Sequence, residues 1–437
     1  MSSHAFADFL EQLQANGHLL RQDEPVQRSL EVGSKATEIA PQAALFTDVP
    51  DAQFPLVLGV YSLPKRVLAT FGASSPAEIA ARIEDVGTEK GVSWLARLSG
   101  ERPATLQKHE YKTLRTGPSQ QIVHLGRDVD LGSLPAPLLH PDEEFPAITA
   151  GRLITRAPHG GQLYVGRHDL RIVDANRLVT CWPPSSPPAQ FLEYYRRRGE
   201  PMPVAIAFGG VPSDLLTAMA PLPRRMDVLE LTGYLRGAPC EMVQARSVDL
   251  PVPADAELVI EGTIVPDETH VNPGNGLDAV GQPRPLQPAP AVHVEALTHR
   301  PTPLFHALLP AEKACIQQTL AKAFLPFLRL ELPGLCELEF PSFGGDRLWG
   351  FASIDKTYPG QAIQFASAFW GLSRMLPVRY LAIVDADLDL TNTDEVLQAI
   401  AAHATPSSDL RITDSIPDEF IYDQPPGRIA FDATRPL

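Results

Sequence analysis

Four groups able to do chemistry crowd into six positions, "YVGRHD": the phenol of Tyr164, the guanidinium of Arg167, the imidazole of His168 and the carboxylate of Asp169. An imidazole has the side-chain pKa best suited to proton transfer near neutrality. A guanidinium can hold a carboxylate through two parallel hydrogen bonds. The surrounding residues predict a single extended strand from Leu163 to Val173, closed by a turn at Asp174–Asn176. On such a strand Arg167 and Asp169 share one face and His168 points to the other, so the four groups do not all line one pocket.

Other clusters carry less. "IVDADLDL" puts Asp385, Asp387 and Asp389 on one strand face, but without the Gly and spacing of a calcium loop it reads as an exposed acidic edge ahead of a helix. "HPDEEF" (His140–Phe145) has one His and three carboxylates with no second His at ligand spacing, and reads as a solvated loop. Glu261, Asp267, Glu268, His270 and Asp278 fall on a strand and a long loop where spacing alone assigns no acid or base. The glycine-rich pieces "FGGVPSD", "NPGNG" and "SFGGDRLWG" lack both phosphate-loop and dinucleotide spacings and read as turns. No GxSxG occurs, and Cys181 reads as a buried small hydrophobe before it reads as a nucleophile.

Bulk properties narrow the classes. The chain has 437 residues, enough for two or three cores, with 44 % hydrophobic and 20 % charged residues. A net charge of −15 argues against a nucleic-acid footprint. "MSSHAFADFLEQLQ" has neither the basic nor the apolar segment of a secretory signal, and no apolar run approaches a membrane span. The four cysteines, Cys181, Cys240, Cys315 and Cys336, are scattered, as in a reduced cytoplasmic protein.

The elements that must hold "YVGRHD" follow from changes in texture. Residues 1–115 mix amphipathic helices with the buried run "FPLVLGVYS" and read as α/β. Residues 116–305 are short β-rich runs punctuated by Pro and Gly, interrupted by one helix near "PAQFLEYYRRRG", and predict a barrel or sandwich. From 306 to 437 the α/β texture returns: "EKACIQQTLAKAFLPFL" reads as helix, "RYLAIVDADLDL" as strand, and "TNTDEVLQAIAAHA" as a helix capped at Thr393.

Across nearly the whole length, "ITAGRLITR", "GEPMPVAIAFGG", "MAPLP", "LTGYLRGAPCEMV", "LPVPADAELVIEGTIVP", "IVDADLDLTNTDEVLQAIAAH" and "GRIAFDATRPL" occur in the order and spacing of the UbiD family of decarboxylases, which the chain resembles. The resemblance implies an N-terminal α/β region, a central flavin-reductase-like split β-barrel and a C-terminal α/β region used in oligomer contacts. It also implies prenylated FMN with Mn²⁺ or Mg²⁺ and K⁺ at its phosphate, and reversible CO₂ exchange on aromatic or unsaturated acids.

Carried over position by position, the resemblance finds the family groups replaced. The metal-binding Asn of the family strand is Tyr164 here and its catalytic Arg is Asp169. The metal-binding His falls on Ser186 or Pro187, and the ligand Glu on Val228, with Glu230 two residues on. The flavin-phosphate segment is "LTAMAPLP", with Ala218, Met219 and Pro221 in family cofactor positions and only Thr217 still polar. In "NPGNGLD", Asn272 takes the place of the first catalytic Glu, and Leu277, or Asp278 with one inserted residue, the second. A phenol is a poor ligand for a hard divalent ion, and an Asp in place of an Arg repels a substrate carboxylate.

The expectation is a UbiD-like chain with no bound cofactor, a non-catalytic or accessory subunit in a homo-oligomer or beside an active UbiD-like subunit. The alternatives are an active decarboxylase, or a flavin-independent enzyme whose remodelled pocket uses Arg167 and His168.

Overall fold

In the computed structural model, described for residues 5–87, 103–158, 162–223, 226–278, 281–345, 347–414 and 427–437, the apolar runs of the N-terminal region form a small sheet. The strands Leu19–Gln22, Ala43–Phe46 and Leu56–Leu58 lie side by side, and Phe305–His306 joins Leu56–Leu58 in parallel from far along the chain. Residues 1–4 of the stretch read for a signal, and 279–280 of "LDAVG", lie outside the described residues.

The central region is one curled sheet. Its main strands are β1 (Arg152–Arg156), β2 (Leu163–Arg167), β3 (Asp169–Asp174), β4 (Arg177–Cys181), β5 (Met202–Phe208), β6 (Leu258–Ile264) and β7 (Ala291–His299). Spatially they run β3-β4-β7-β6-β5-β1-β2, with Ala147–Ile148 outside β3. β2 and β3 are thus consecutive in sequence yet belong to opposite ends of the sheet. The same holds for Ala147–Ile148 and β1. Two short passages, at Thr149–Gly151 and at His168, therefore cross from one end of the sheet to the other. The sheet must curl until its ends approach, which is the geometry of a split barrel. The single strand expected from Leu163 to Val173 is accordingly two strands broken at His168, because the chain changes sheet ends there. The alternation of side chains survives the break, as the site shows.

Four helices frame this barrel: α1 (Pro187–Arg198), α2 (Pro212–Met219), α3 (Val228–Arg236) and α4 (Pro310–Ala323). α1 starts on prolines that have no N–H to leave unsatisfied and stops at Gly199, which takes the left-handed conformation. α4 is anchored through Glu312, a fully buried carboxylate that accepts from the backbone N–H of Tyr61 at 2.6 Å and of Gly59 and Leu309 at 3.2 Å. That anchor fixes the next residue, Lys313, above the seam of the barrel.

A buried charge cluster braces β1 against α2 and α3. Arg152 meets Asp214 at 3.0 Å and donates to the Gly209 carbonyl at 2.6 Å, while Arg236 lies 3.5 Å from Asp214. Burial and the Asp214 charge push the Asp255 carboxyl up to about 6. A carboxyl raised on folding contributes stability below its unfolded pKa and loses it as pH rises through the folded value. Between about pH 4 and 7 the wild type should therefore lose about 3 kcal/mol of stability relative to Asp255→Asn. Urea midpoints of the two proteins across that range check this; parallel curves would refute it.

The C-terminal region is a five-stranded sheet in the order Leu335–Glu339, Trp349–Ile354, Tyr380–Asp385, Arg428–Asp432, Leu410–Thr413. The helix following the acidic strand spans Thr393–His403, with Asn392 at its N-cap position, one residue before the expected cap, and no capping hydrogen bond from its side chain. The aspartates are structural. Asp385 accepts from Arg435 N and Nε at 2.9 Å, Asp387 from Arg435 Nη2 at 2.5 Å, and Asp389 from the Thr391 backbone at 2.9 Å. Among the described residues no helix is long and apolar enough to cross a membrane.

Candidate functional site

At the seam the two faces of "YVGRHD" become two separate arrangements. On one face the Tyr164 ring folds along β2 across Gly166, and its Oη lies 2.8 Å from His168 Nε2. Phe191 meets the Tyr164 ring edge-on and Trp182 meets His168 likewise. Burial, then the charge of Arg167, lowers His168 to about 4, so the imidazole is neutral at pH 7. The proton-transfer pKa expected for His168 is therefore lost to desolvation. Burial likewise raises the Tyr164 phenol well above its ordinary value.

Gly166 makes this packing possible, since a Cβ there would stand 2.2 Å from Tyr164 Oη and 2.6 Å from its Cζ. Gly166→Ala should displace the ring, cost about 1–2 kcal/mol and let His168 titrate closer to its ordinary value. An NMR titration of the His168 ring protons reads this; an unchanged low pKa would show that Tyr164 had not moved.

On the other face Asp169 sits between two cations. Lys313 Nζ lies 3.1 Å from Oδ1 and 3.0 Å from Oδ2, and Arg167 Nη2 also bonds Oδ1. Arg167 Nε donates to the Thr149 carbonyl at 2.8 Å, joining the two passages that cross the seam. Burial pushes the Asp169 carboxyl up, but Arg167 and Lys313 outweigh it and hold the group at about 2. Cys181 is the cross-strand neighbour of Asp169, and burial pushes its thiol up to about 12, which leaves it protonated and without nucleophilic character.

Beside them Arg171 and Glu143 form a buried ion pair at 2.8 Å. Glu143 also accepts from the backbone N–H of Leu139 at 2.9 Å and of His140 at 3.0 Å. The "HPDEEF" segment is therefore not wholly a solvated loop: its exposed Asp142 fits that reading, but Glu143 turns inward to neutralise Arg171. Glu261 is likewise buried in β6, where it accepts from the backbone N–H of Arg246 and Ser247 at 2.7 Å.

The remaining positions are dispersed. Ser186 caps α1 by position, buried, its Oγ without a partner among the described residues. Val228 opens α3 and packs on the apolar cluster that holds Leu229 and Cys240. Glu230 is buried in the first turn of α3, its backbone N–H donating to the Asp227 cap at 3.1 Å. Thr217, Ala218 and Met219 end α2, where Thr217 Oγ1 is spent on the Ser213 carbonyl. Met219 and Pro221 line a small cleft with Gln317, Phe340, Arg347 and Arg374. Exposed Asn272 turns back to accept from Gly274 N at 3.0 Å. Leu277 and Asp278 belong to a hairpin of Asn275–Leu277 with Pro283–Pro285, where Asp278 pairs with Arg284 at 3.2 Å. The hairpin leans on the Glu143 loop through Asn275 Nδ2 and the Asp142 carbonyl, 2.9 Å apart.

Sequence reasoning missed Lys313, Thr149, Arg171 and Glu143. Lys313 lies on a helix of the following region, and no local pattern ties it to β3. The parity of Arg167 and Asp169 was readable, and the structure keeps it.

A curled split barrel between two α/β regions is the fold this chain shares with UbiD-class enzymes. The structure is similar to an evolved dimeric form of the UbiD-class enzyme HmfF from Pelotomaculum thermopropionicum in complex with prFMN, at 26 % identity, covering 100 % of this chain and 96 % of that one, with a TM-score of 0.79. The vanillic acid decarboxylase of Sedimentibacter hydroxybenzoicus in its closed form shares the fold at 19 % identity, 100 % and 93 % coverage and a TM-score of 0.81. So does the apo 3,4-dihydroxybenzoic acid decarboxylase AroY of Klebsiella pneumoniae, at 21 %, 98 % and 94 %, and 0.75. Three domain families of 3-octaprenyl-4-hydroxybenzoate carboxy-lyase match in order: the N-terminal domain over residues 10–85, the Rift-related domain over 112–313 and the C-terminal domain over 314–433. The chain belongs to the UbiD family.

Proposed function

We propose that this chain is a UbiD-family protein that does not carry out prenylated-FMN decarboxylation and serves as a non-catalytic or accessory subunit of an oligomeric complex in the cytoplasm. In this reading residues 1–115, 116–305 and 306–437 are its working units, and partners are further copies or an active UbiD-like subunit. The observation that carries it is the engagement of Asp169 with Arg167 and Lys313, at the position where the resemblance expects the family's Arg.

The donors at the other family positions support the same reading. A divalent ion would find a buried phenol already bonded to His168, the hydroxyl of Ser186 and the isopropyl group of Val228. Such a set does not fit a hard cation. Among the described residues no group of three or more His, Cys, Asp or Glu side chains is arranged to hold a metal.

Co-production with a flavin prenyltransferase, in medium containing Mn²⁺, followed by absorbance spectroscopy and native mass spectrometry, tests it. A colourless protein at polypeptide mass is the expected result. A flavin-sized mass with a flavin absorption band would overturn it and restore the second reading, an active carboxy-lyase of aromatic or unsaturated acids. That second reading is favoured by the 26 % identity to HmfF over the full chain.

A further inference from the structure

We propose that Arg167 and Lys313 form a seat for a small carboxylate, and that Asp169 is its built-in occupant. The proposal rests on the reading that this strand has left the family chemistry, and concerns what its cations now do. Lys313 Nζ straddles the Asp169 carboxylate, 3.1 and 3.0 Å from its two oxygens, while Arg167 Nη2 bonds Oδ1.

The Arg167 guanidinium is held from outside this contact, and the backbone that carries Lys313 is anchored beside it. Arg167 Nε is fixed by the Thr149 carbonyl at 2.8 Å. Thr149 Oγ1 in turn donates to the Leu308 carbonyl at 3.1 Å and accepts from Leu308 N at 2.7 Å, just ahead of α4. Lys313 is carried by α4, whose start is pinned by Glu312. Two cations placed this way repel each other unless an anion lies between them. Glu143, the neighbouring carboxylate, is committed to Arg171 and two backbone N–H groups.

Access is from the side of Asp169. Its side chain is 31 % exposed, against 15 % for each cation. A carboxylate on a one-carbon stem holds the seat at a high effective concentration and excludes free acids. Replacing Asp169 by Ala removes one carboxylate group, the size of formate, from between the two cations.

The test is a thermal melt of full-length wild type and Asp169→Ala in sodium formate and in sodium chloride of equal ionic strength. In chloride the variant should melt roughly 3 °C or more below wild type. Formate should restore at least half of that loss, saturably, while wild type responds alike to both salts. Adding Lys313→Met to the variant should abolish the rescue. Equal responses of Asp169→Ala to the two salts, or rescue that survives without Lys313, would overturn the proposal.

Should Asp169→Ala fail to fold, Lys313→Met alone gives a second measurement. The Asp169 carboxyl, followed by carbon NMR, should titrate at a proton activity more than tenfold lower than in wild type, and an unshifted titration would equally refute the seat. Failure of formate rescue in a flavin-free protein removes only the seat, whereas flavin capture removes only the reading beneath it.

Discussion

Asp169→Arg, which installs the residue that the family resemblance expects at this position, is expected to destabilise the protein. The substitution removes the carboxylate between Arg167 and Lys313 and adds a third cation at the same place. Losing one partner of a buried pair costs about 3–5 kcal/mol, and the partial exposure of Asp169 brings the loss of attraction toward the lower end. Repulsion among three cations adds to it, by about 1 kcal/mol or more at the intermediate effective dielectric of such a site. Asp169→Asn, which loses attraction without adding charge, should fall between wild type and Asp169→Arg in urea midpoint.

Salt separates the two contributions. The gap between Asp169→Arg and Asp169→Asn should narrow as sodium chloride is raised from low to about 0.5 M, because screening acts on the repulsion. Acid gives a second signature. A carboxyl lowered to about 2 contributes stability above its unfolded pKa, and that stability is lost as pH falls through the folded value. Wild type should therefore lose stability from about pH 4 downward on account of this group, and Asp169→Asn should lack that part of the slope. An Asp169→Arg protein as stable as wild type would mean that Lys313 is not held by Asp169 in solution.

How legible this was from sequence depends on how local each feature is. The helix at Pro187–Arg198, with prolines at its start and Gly199 at its end, is written in its own residues, and so is the face shared by Arg167 and Asp169. The family match was carried by long motifs such as "VPADAELVIEGTI", which fix register over many positions at once. The break at His168 was not legible. β2 and β3 each have sound strand composition, and only the pairing of β2 with β1 and of β3 with β4 separates them. Nor was the fate of His168, whose lowered pKa comes from desolvation by residues distant in sequence. Glu143 shows the limit most plainly: its loop is polar enough to read as solvated, and only the fold brings Arg171 to it.

Glu143→Ala is expected to cost about 3–5 kcal/mol, the range for removing one partner of a buried ion pair. Arg171 would be left 5 % exposed with the Phe145 carbonyl, 3.2 Å from Nη1, as its remaining contact in this loop. Its Nε lacks a hydrogen-bond partner among the described residues, and the one other carboxylate whose charge reaches it, Asp169, is shared with Arg167 and Lys313. The backbone N–H groups of Leu139 and His140 would lose their acceptor as well. If the penalty comes from the stranded cation, adding Arg171→Met should recover a large part of it, because an apolar pair of similar volume needs no desolvation to be repaid. Denaturant unfolding of the four proteins of this cycle measures the coupling directly. The loss should also spread outward in a defined direction. The loop positions the hairpin of Asn275–Leu277 and Pro283–Pro285 through the Asp142 carbonyl and the approach of Glu144 to Gly274. Amide exchange in that hairpin should therefore quicken in Glu143→Ala while exchange in the C-terminal strands Trp349–Ile354 and Tyr380–Asp385 stays at its wild-type rate relative to global stability. A Glu143→Ala protein within about 0.5 kcal/mol of wild type would show that Arg171 finds another counter-charge, and that the inward turn of this loop is not what holds the hairpin to the barrel.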